Sequence, residues 1–214
     1  MSAAGTGAGE PSVRGRIDKR RAILDAAFAV FAREGYTQAG VDVIAAEAGV
    51  AKATVYNHFG GKETLLRQAF AALADDALAR NLAAVDRLTE RGGTRARLED
   101  VAVHLLTCYC DEKSRTMRRL LVAETPRFPA LVDIVQEQVG DRVLQALADR
   151  LARLSVAGLL RTPDPALAAE QFTALLTAPI DRRSRLGTRR VPATELRATA
   201  KAAVGTFLAA YGPR

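Results

Sequence analysis

Apolar positions recur at helical spacing through Val41, Ile44, Ala45 and Ala48, so they line one face of a short helix. Gly49 follows at once, where a helix of this length stops on a left-handed residue. A second short helix needs only Val55 and Phe59, four apart, to hold it against the first. Its other positions are Lys52, Ala53, Thr54, Tyr56, Asn57 and His58, a face that is small, polar and basic, with one aromatic ring. Two short helices joined by a glycine turn, the second polar on its outward side, predict a helix-turn-helix. The second helix is the one shaped to enter a major groove.

The rest of the chain keeps the helical period, and no stretch alternates with period two for long enough to argue a sheet. A helix is expected over Arg16 to Arg33, with Ile17, Leu24, Ala27, Phe28 and Phe31 as its buried stripe and Gly35 ending it. Lys62 opens another, with Gly61 at its cap, running through Leu65, Leu66, Ala69, Phe70 and Leu73 to about Glu90, where Arg91-Gly92-Gly93 breaks it. Leu98, Val101, Leu105 and Cys108 mark the next helix, and Met117, Leu120 and Leu121 the one after. Beyond the Pro126-Arg127-Phe128-Pro129 corner, Leu131 to Leu154 read as one long helix loosened at Gly140. Pro165 suits a first helical position, and two last helices are expected over Pro165 to Asp181 and Pro192 to Tyr211. The second of these carries Leu196, Ala200, Ala203, Val204, Phe207, Leu208 and Tyr211 on one stripe. The fold class is all-α.

Composition changes this picture little. The 214 residues are 49% hydrophobic but only 5% aromatic, and Ala and Leu dominate, which favours helix. A chain of this length buries roughly 70% of its unfolded surface, enough for a core without staples. The net charge of +7 suits a polyanionic partner, although arginine richness also follows from base composition. Met1 to Gly15 are mostly Gly, Ala and Ser and read as a disordered arm. Arg14, Arg16, Lys19, Arg20 and Arg21 behind it form either a basic arm for DNA phosphates or a solvated helix start. Met1 to Pro11 has no apolar core, so no signal peptide is expected. No segment reaches the ~20 uncharged residues of a membrane span. Cys108 and Cys110 point about 200° apart on a helix and cannot bridge each other. Two free thiols fit a reducing, cytoplasmic compartment.

Thr54-Val55-Tyr56-Asn57-His58-Phe59, two residues, then Lys62 resembles the recognition helix of the TetR/AcrR family of one-component repressors. Ile44-Ala45 and Ala48-Gly49-Val50 match the block that precedes it, and Glu34-Gly35-Tyr36 the end of the family's first helix. The chain departs at three caps. Gly40 and Ala51 stand where the family has Ser or Thr, and Gly60-Gly61 where it often has Pro-Ser or Pro-Asp. Glycine costs only a few tenths of a kcal/mol at a cap but alanine costs ~1 kcal/mol, so the recognition helix is expected to fray at its start. ETPRFP at 124–129, a long helix, then Gly158-Leu159-Leu160 and Pro163-Asp164-Pro165 resemble the regulatory domain of AefR-like members.

The resemblance implies a helix-turn-helix DNA-binding domain over 16–62 and a regulatory and dimerisation domain over 63–214. Its function is then a ligand-responsive repressor that binds a palindromic double-stranded DNA operator as a homodimer. The expected DNA contacts are Thr37, Lys52, Ala53, Thr54, Tyr56, Asn57, His58 and Lys62. Lys52 and Lys62 can neutralise phosphates, and Asn57 can read adenine through a bidentate pair. Thr37 meets either a phosphate or its own turn. The resemblance places the dimer interface on the last two helices, at Phe172, Leu176, Leu196, Ala200, Val204, Phe207 and Leu208. It places a pocket for a small, mostly apolar effector at Leu105, Cys108, Met117, Leu121 and Phe172.

Enzyme chemistry finds no support. The chain lacks a glycine-rich phosphate loop after a strand, a G-x-S-x-G elbow and an H-E-x-x-H helix. His104 and Cys108 are four apart and could share a metal, but no fourth ligand is near in sequence, so neither metal nor cofactor is expected. Arg182, Arg183, Arg185, Arg189 and Arg190 read as a solvated, mobile loop, or else as a contact for an acidic effector or partner subunit. The rival functions are a nonspecific architectural DNA binder and a small-molecule-binding helical protein.

Overall fold

The computed structural model describes residues 13–213, with side chains from Ile17 onward. Met1 to Ser12 of the expected arm, and the side chains of Arg14 and Arg16, lie outside the described residues. Among the described residues every regular element is helical: α1 (Val13–Gln38), α2 (Val41–Glu47), α3 (Lys52–Phe59), α4 (Lys62–Asp86), α5 (Thr94–Cys110), α6 (Glu112–Glu124), α7 (Ala130–Val135), α8 (Asp141–Val156), α9 (Pro165–Ser184) and α10 (Ala193–Tyr211). A 3-10 turn, Arg87–Thr89, follows α4, and a π-helical turn, Gln136–Gly140, joins α7 to α8. The chain divides into two compact units, and the division falls inside α4, between Ala69 and Phe70.

In the first unit α1 packs on α2 and α2 on α3. Ile23, Leu24, Ala27, Val30 and Phe31 are buried, together with Ile44, Ala45, Val55, Phe59, Leu65 and Leu66. The α1 stripe is therefore rotated from the expected one. Ile23 and Val30 belong to it, Phe28 is half-buried and Ile17 is 63% exposed. The seam follows i, i+1, i+4, i+7, i+8, and Phe28 stands on its shoulder. Gly35 takes φ 73°, ψ 164°, open to glycine and strained for other residues. The helical path resumes beyond it to Gln38. The expected stop is thus a kink.

In the second unit α10 packs against α5 and α9, and α8 against α9. The core is built from Leu98, Val101, Leu106, Leu147, Leu151, Phe172, Leu176, Ile180, Val204 and Phe207. This corrects the expected dimer face. Phe172, Leu176, Leu196, Ala200, Val204 and Phe207 are between 0 and 7% exposed in the single chain, and Leu208 packs half-buried against the same core. A side chain with no surface left cannot lose more against a second copy. The Phe172 and Phe207 rings meet edge-on, 5.0 Å between centroids, as aromatic pairs prefer.

The arginine-rich segment is also pinned more than a solvated loop would be. Arg182 and Arg183 belong to the last turn of α9, and Arg183 donates to the Thr199 hydroxyl on α10. Arg115, buried on α6, donates to the Gly187 carbonyl at 3.1 Å. Arg190 reaches Glu112 at 3.2 Å.

Candidate nucleic-acid interface and cavity

The turn between α2 and α3 closes on Gly49, at φ 66°, with the Val50 amide donating to the Ala45 carbonyl at 3.0 Å. The cap of α3 is Ala51, extended at ψ 146° and without a side-chain bond. Val55 and Phe59 turn inward. Lys52, Ala53, Tyr56 and Asn57 are exposed and Thr54 and His58 half-buried. Among the described residues, the side chains of Lys52, Thr54, Tyr56 and Asn57 make no hydrogen bond or ion pair. Tyr56, 45% exposed, holds a large ring in water with its hydroxyl unspent.

Two neighbours brace this face. Arg33 on α1 reaches Glu47 on α2 at 2.7 Å and its neighbour Glu34 at 2.8 Å. The Lys62 ammonium donates to the Thr37 carbonyl at 3.1 Å and stands 4.7 Å from the centre of the Tyr36 ring. It therefore ties the start of α4 to the end of α1 with one of its three donors. Arg20, from the expected basic arm, is similarly engaged, with Gln68 at 2.6 Å and over the Phe59 ring.

In the second unit a cavity of about 320 Å³ opens between α4, α5, α6, the π turn, α8 and α9. Of the residues named for an effector pocket, Leu105, Cys108 and Met117 line it. Phe172 and Leu121 do not. Phe172 is spent on the core, and Leu121, one turn beyond Met117, is half-buried outside the lining. Burial pushes both thiols, Cys108 and Cys110, above the ordinary cysteine value, with Arg80 pulling Cys108 partly back and Arg118 doing the same for Cys110. Thiols held that way are poor nucleophiles. Burial raises Tyr109 as well, against the pull of Arg118, and its hydroxyl donates to Asp181 at 2.7 Å. His104 bonds its own helix, at 2.8 Å from the Asp100 carbonyl. No cluster of His, Cys, Asp and Glu able to hold a metal occurs among the described residues. None of the described helices is long and apolar enough to cross a membrane.

Residues 23–69 match the family of bacterial regulatory proteins of the tetR type, and residues 96–213 match the C-terminal domain of AefR-like transcriptional repressors. The chain belongs to the TetR family of transcriptional regulators. Over 128 residues this TetR-family chain is 30% identical to the HTH-type transcriptional regulator SrpR of Pseudomonas putida, a match covering 60% of the chain and 57% of SrpR. It is similar in structure to a chain from Mesorhizobium loti described as a TetR-family transcriptional regulator. That likeness has 33% identity and a TM-score of 0.86, and covers 95% of this chain and all of that one. The flavonoid-responsive regulator FrrA is a further structural relative, at 28% identity and TM-score 0.71, over 92% of this chain and 98% of that one.

Sequence reasoning missed several lining residues of this TetR-family cavity: Asn81, Tyr109, Arg118, Gln136 and Thr173. Only Gly140 gave a signal, as the point where the long helix loosens. The π turn around it supplies Gln136, Val139 and Gly140 to the wall, and such turns often mark functional sites.

Proposed function

We propose that the chain is a ligand-responsive repressor that binds a palindromic operator as a homodimer, in the cytoplasm where the chromosome lies. The polar face of α3 carries this reading. A helix held by only Val55 and Phe59 presents Lys52, Thr54, Tyr56 and Asn57 to water with their side-chain bonds unspent. Lys52, Lys62, Tyr56 and His58 position the helix on phosphates; Ala53, Thr54 and Asn57 face base edges. Thr37 contributes from the end of α1.

The homodimer forms through the outward faces of α9 and α10. There Ala174, Ala178, Ala198, Ala202 and Ala209 are exposed, and small side chains let helices approach closely. Two recognition helices then sit in successive major grooves, ~34–36 Å apart, which requires a palindrome. The effector occupies the cavity of the second unit, whose lining is mostly apolar with a few polar groups, the usual character of small-molecule sites. That FrrA is flavonoid-responsive supports an effector of this size.

Selection of binding sites from random DNA tests the reading. A repressor yields one palindromic consensus, whereas an architectural binder yields none. Linkage supplies the second test, since an effector that weakens operator binding must itself be weakened by operator by the same factor, typically about 5–150-fold. Titrating each ligand with and without the other measures both factors. A cavity ligand that leaves operator affinity unchanged sinks the induction part alone.

A further inference from the structure

We propose that the turn between α9 and α10 is a second DNA-contacting surface, a sequence-independent seat for backbone phosphates carried by Arg182, Arg185 and Arg189. The proposal rests on the DNA-binding reading above and adds a contact outside the helix-turn-helix.

Five arginines fall within residues 182–190, and the backbone that carries them is fixed. Ser184, 1% exposed, accepts from the Gly187 amide with its hydroxyl at 3.1 Å and from the Arg189 amide with its carbonyl at 2.8 Å. The Leu186 amide donates to the Asp181 carbonyl at 3.0 Å. Buried Arg115 on α6 holds the Gly187 carbonyl, and a Cβ on Gly187 would meet the Arg115 carbonyl oxygen at 3.3 Å. Arg185 and Leu186 take left-handed backbone, φ 51° and 56°. Such conformations are uncommon for residues with a side chain and persist where the surroundings over-determine them.

Arg182, Arg185 and Arg189 are exposed, and among the described residues their side chains make no hydrogen bond or ion pair. The nearby carboxylates are spent. Asp181 accepts from Tyr109, and Glu112 takes Arg115 and Arg190. A small anion finds no seat here. The hollow beside the turn, about 260 Å³, has Asp111 and Glu112 on its wall, and a single exposed ion pair is worth little in water. An extended polyanion meets several guanidiniums at once and releases its counterions. The path of the chain favours DNA over an acidic protein. α4 runs antiparallel to α5, with Arg87 meeting Asp100 and Arg80 meeting Asp111. α5 ends at Cys110, beside the start of α6 on which the turn rests. The turn therefore lies at the end of the second unit through which α4 enters, and α4 begins at Lys62. A second contact on a chain already holding DNA gains from the high effective concentration of that DNA.

The experiment uses the full chain and a mixed-sequence duplex of about 40 base pairs, titrated between roughly 50 and 200 mM salt. Arg182→Gln/Arg185→Gln/Arg189→Gln lowers the slope of log affinity against log salt by at least about one and weakens binding several-fold at low salt. The melting temperature stays unchanged, and the matching triple lysine variant keeps the slope. A control, Arg91→Gln/Arg95→Gln/Arg153→Gln, removes the same charge from the start of α5 and the last turn of α8, roughly 25 Å away along α5. It leaves the slope as it was. An equal loss in the control makes the effect one of net charge and overturns the contact. An unchanged slope in the glutamine variant overturns the contact and leaves the DNA-binding reading standing; lost binding of poly-L-glutamate by that variant then assigns the turn to an acidic protein. A wild-type chain that binds neither this duplex nor any selected site overturns both readings.

Discussion

The recognition helix and the cavity both hold polar groups without partners, but on opposite terms. Tyr56 and Asn57 stand in water, which satisfies them at no cost until DNA replaces it. The spare nitrogens of Arg118 and the Thr173 hydroxyl are sealed off, and an unsatisfied buried group costs about 1–3 kcal/mol. The first region is ready for a large, wet partner that arrives with its own charge. The second carries its cost inside its own packing, out of reach of water. Other buried atoms of the second unit share this state, among them the Nε of Arg80, Arg97 and Arg150 and the Gln138 side-chain oxygen. Asp111 caps α6 and Asp164 caps α9, whereas α2 and α3 in the first unit, and α5, α7, α8 and α10 in the second, have no side-chain cap.

Substitutions can break this contrast, the largest effect lying in the frame that holds the second region. Phe207→Ala empties a ring from the shared core of α5, α9 and α10 and is expected to cost ~3–5 kcal/mol; a denaturant midpoint measures it. Operator binding falls with folding, so a variant of undiminished stability that still binds would show that the Phe207 ring is not what holds this core.

Next comes the DNA face. Tyr56→Phe and Lys62→Ala are expected to weaken binding to all DNA sequences about equally. Losing the lysine also cuts the salt slope by roughly one. Because Lys62 also braces Thr37 and Tyr36, its loss lowers the melting temperature slightly, whereas Tyr56→Phe leaves it unchanged. A changed base preference with an intact salt slope would refute the phosphate role of Lys62.

The contrast sharpens with one pair of identical changes. Thr173→Val removes a buried hydroxyl that has no partner and is expected to stabilise the free chain by roughly 0.5–1 kcal/mol. Thr54→Val, on the wet face, leaves stability within about 0.5 kcal/mol and weakens the operator complex. If both changes stabilise alike, burial is not what separates the two regions. The last change is a repair whose effect stays local. Ala51→Ser supplies the missing cap of α3 and adds ~1 kcal/mol of helix stability, visible as slower amide exchange confined to Lys52–Phe59.

Much of the first unit was legible because its information is local. Gly49, Val55 and Phe59 lie within a dozen residues and each does what its spacing implies. The second unit was legible as helices and turns but not in its assignments. The stripe on α10 is apolar because it is covered, and periodicity cannot say by what. Leu196, Val204 and Phe207 are covered by their own chain. Arg118 was hidden for a related reason. It stands among Arg115 and Arg119, and a cluster of charges reads as a solvated face until the fold shows which member is enclosed. Thr173 and Gln136 carry no motif at all.

The π turn at Gln136–Gly140 has a consequence in the arithmetic of chain length. A π turn is the form a helix takes when it absorbs an extra residue without losing its flanking contacts. Removing one residue from 136–140 would let α7 and α8 merge into a single α-helix. Everything on one side would then swing by ~100° against the other. Leu131 would leave the core or Val143 the wall. Relatives that share this cavity should therefore keep their length here even where every residue differs, and a one-residue gap at this point should mark those that recognise something else.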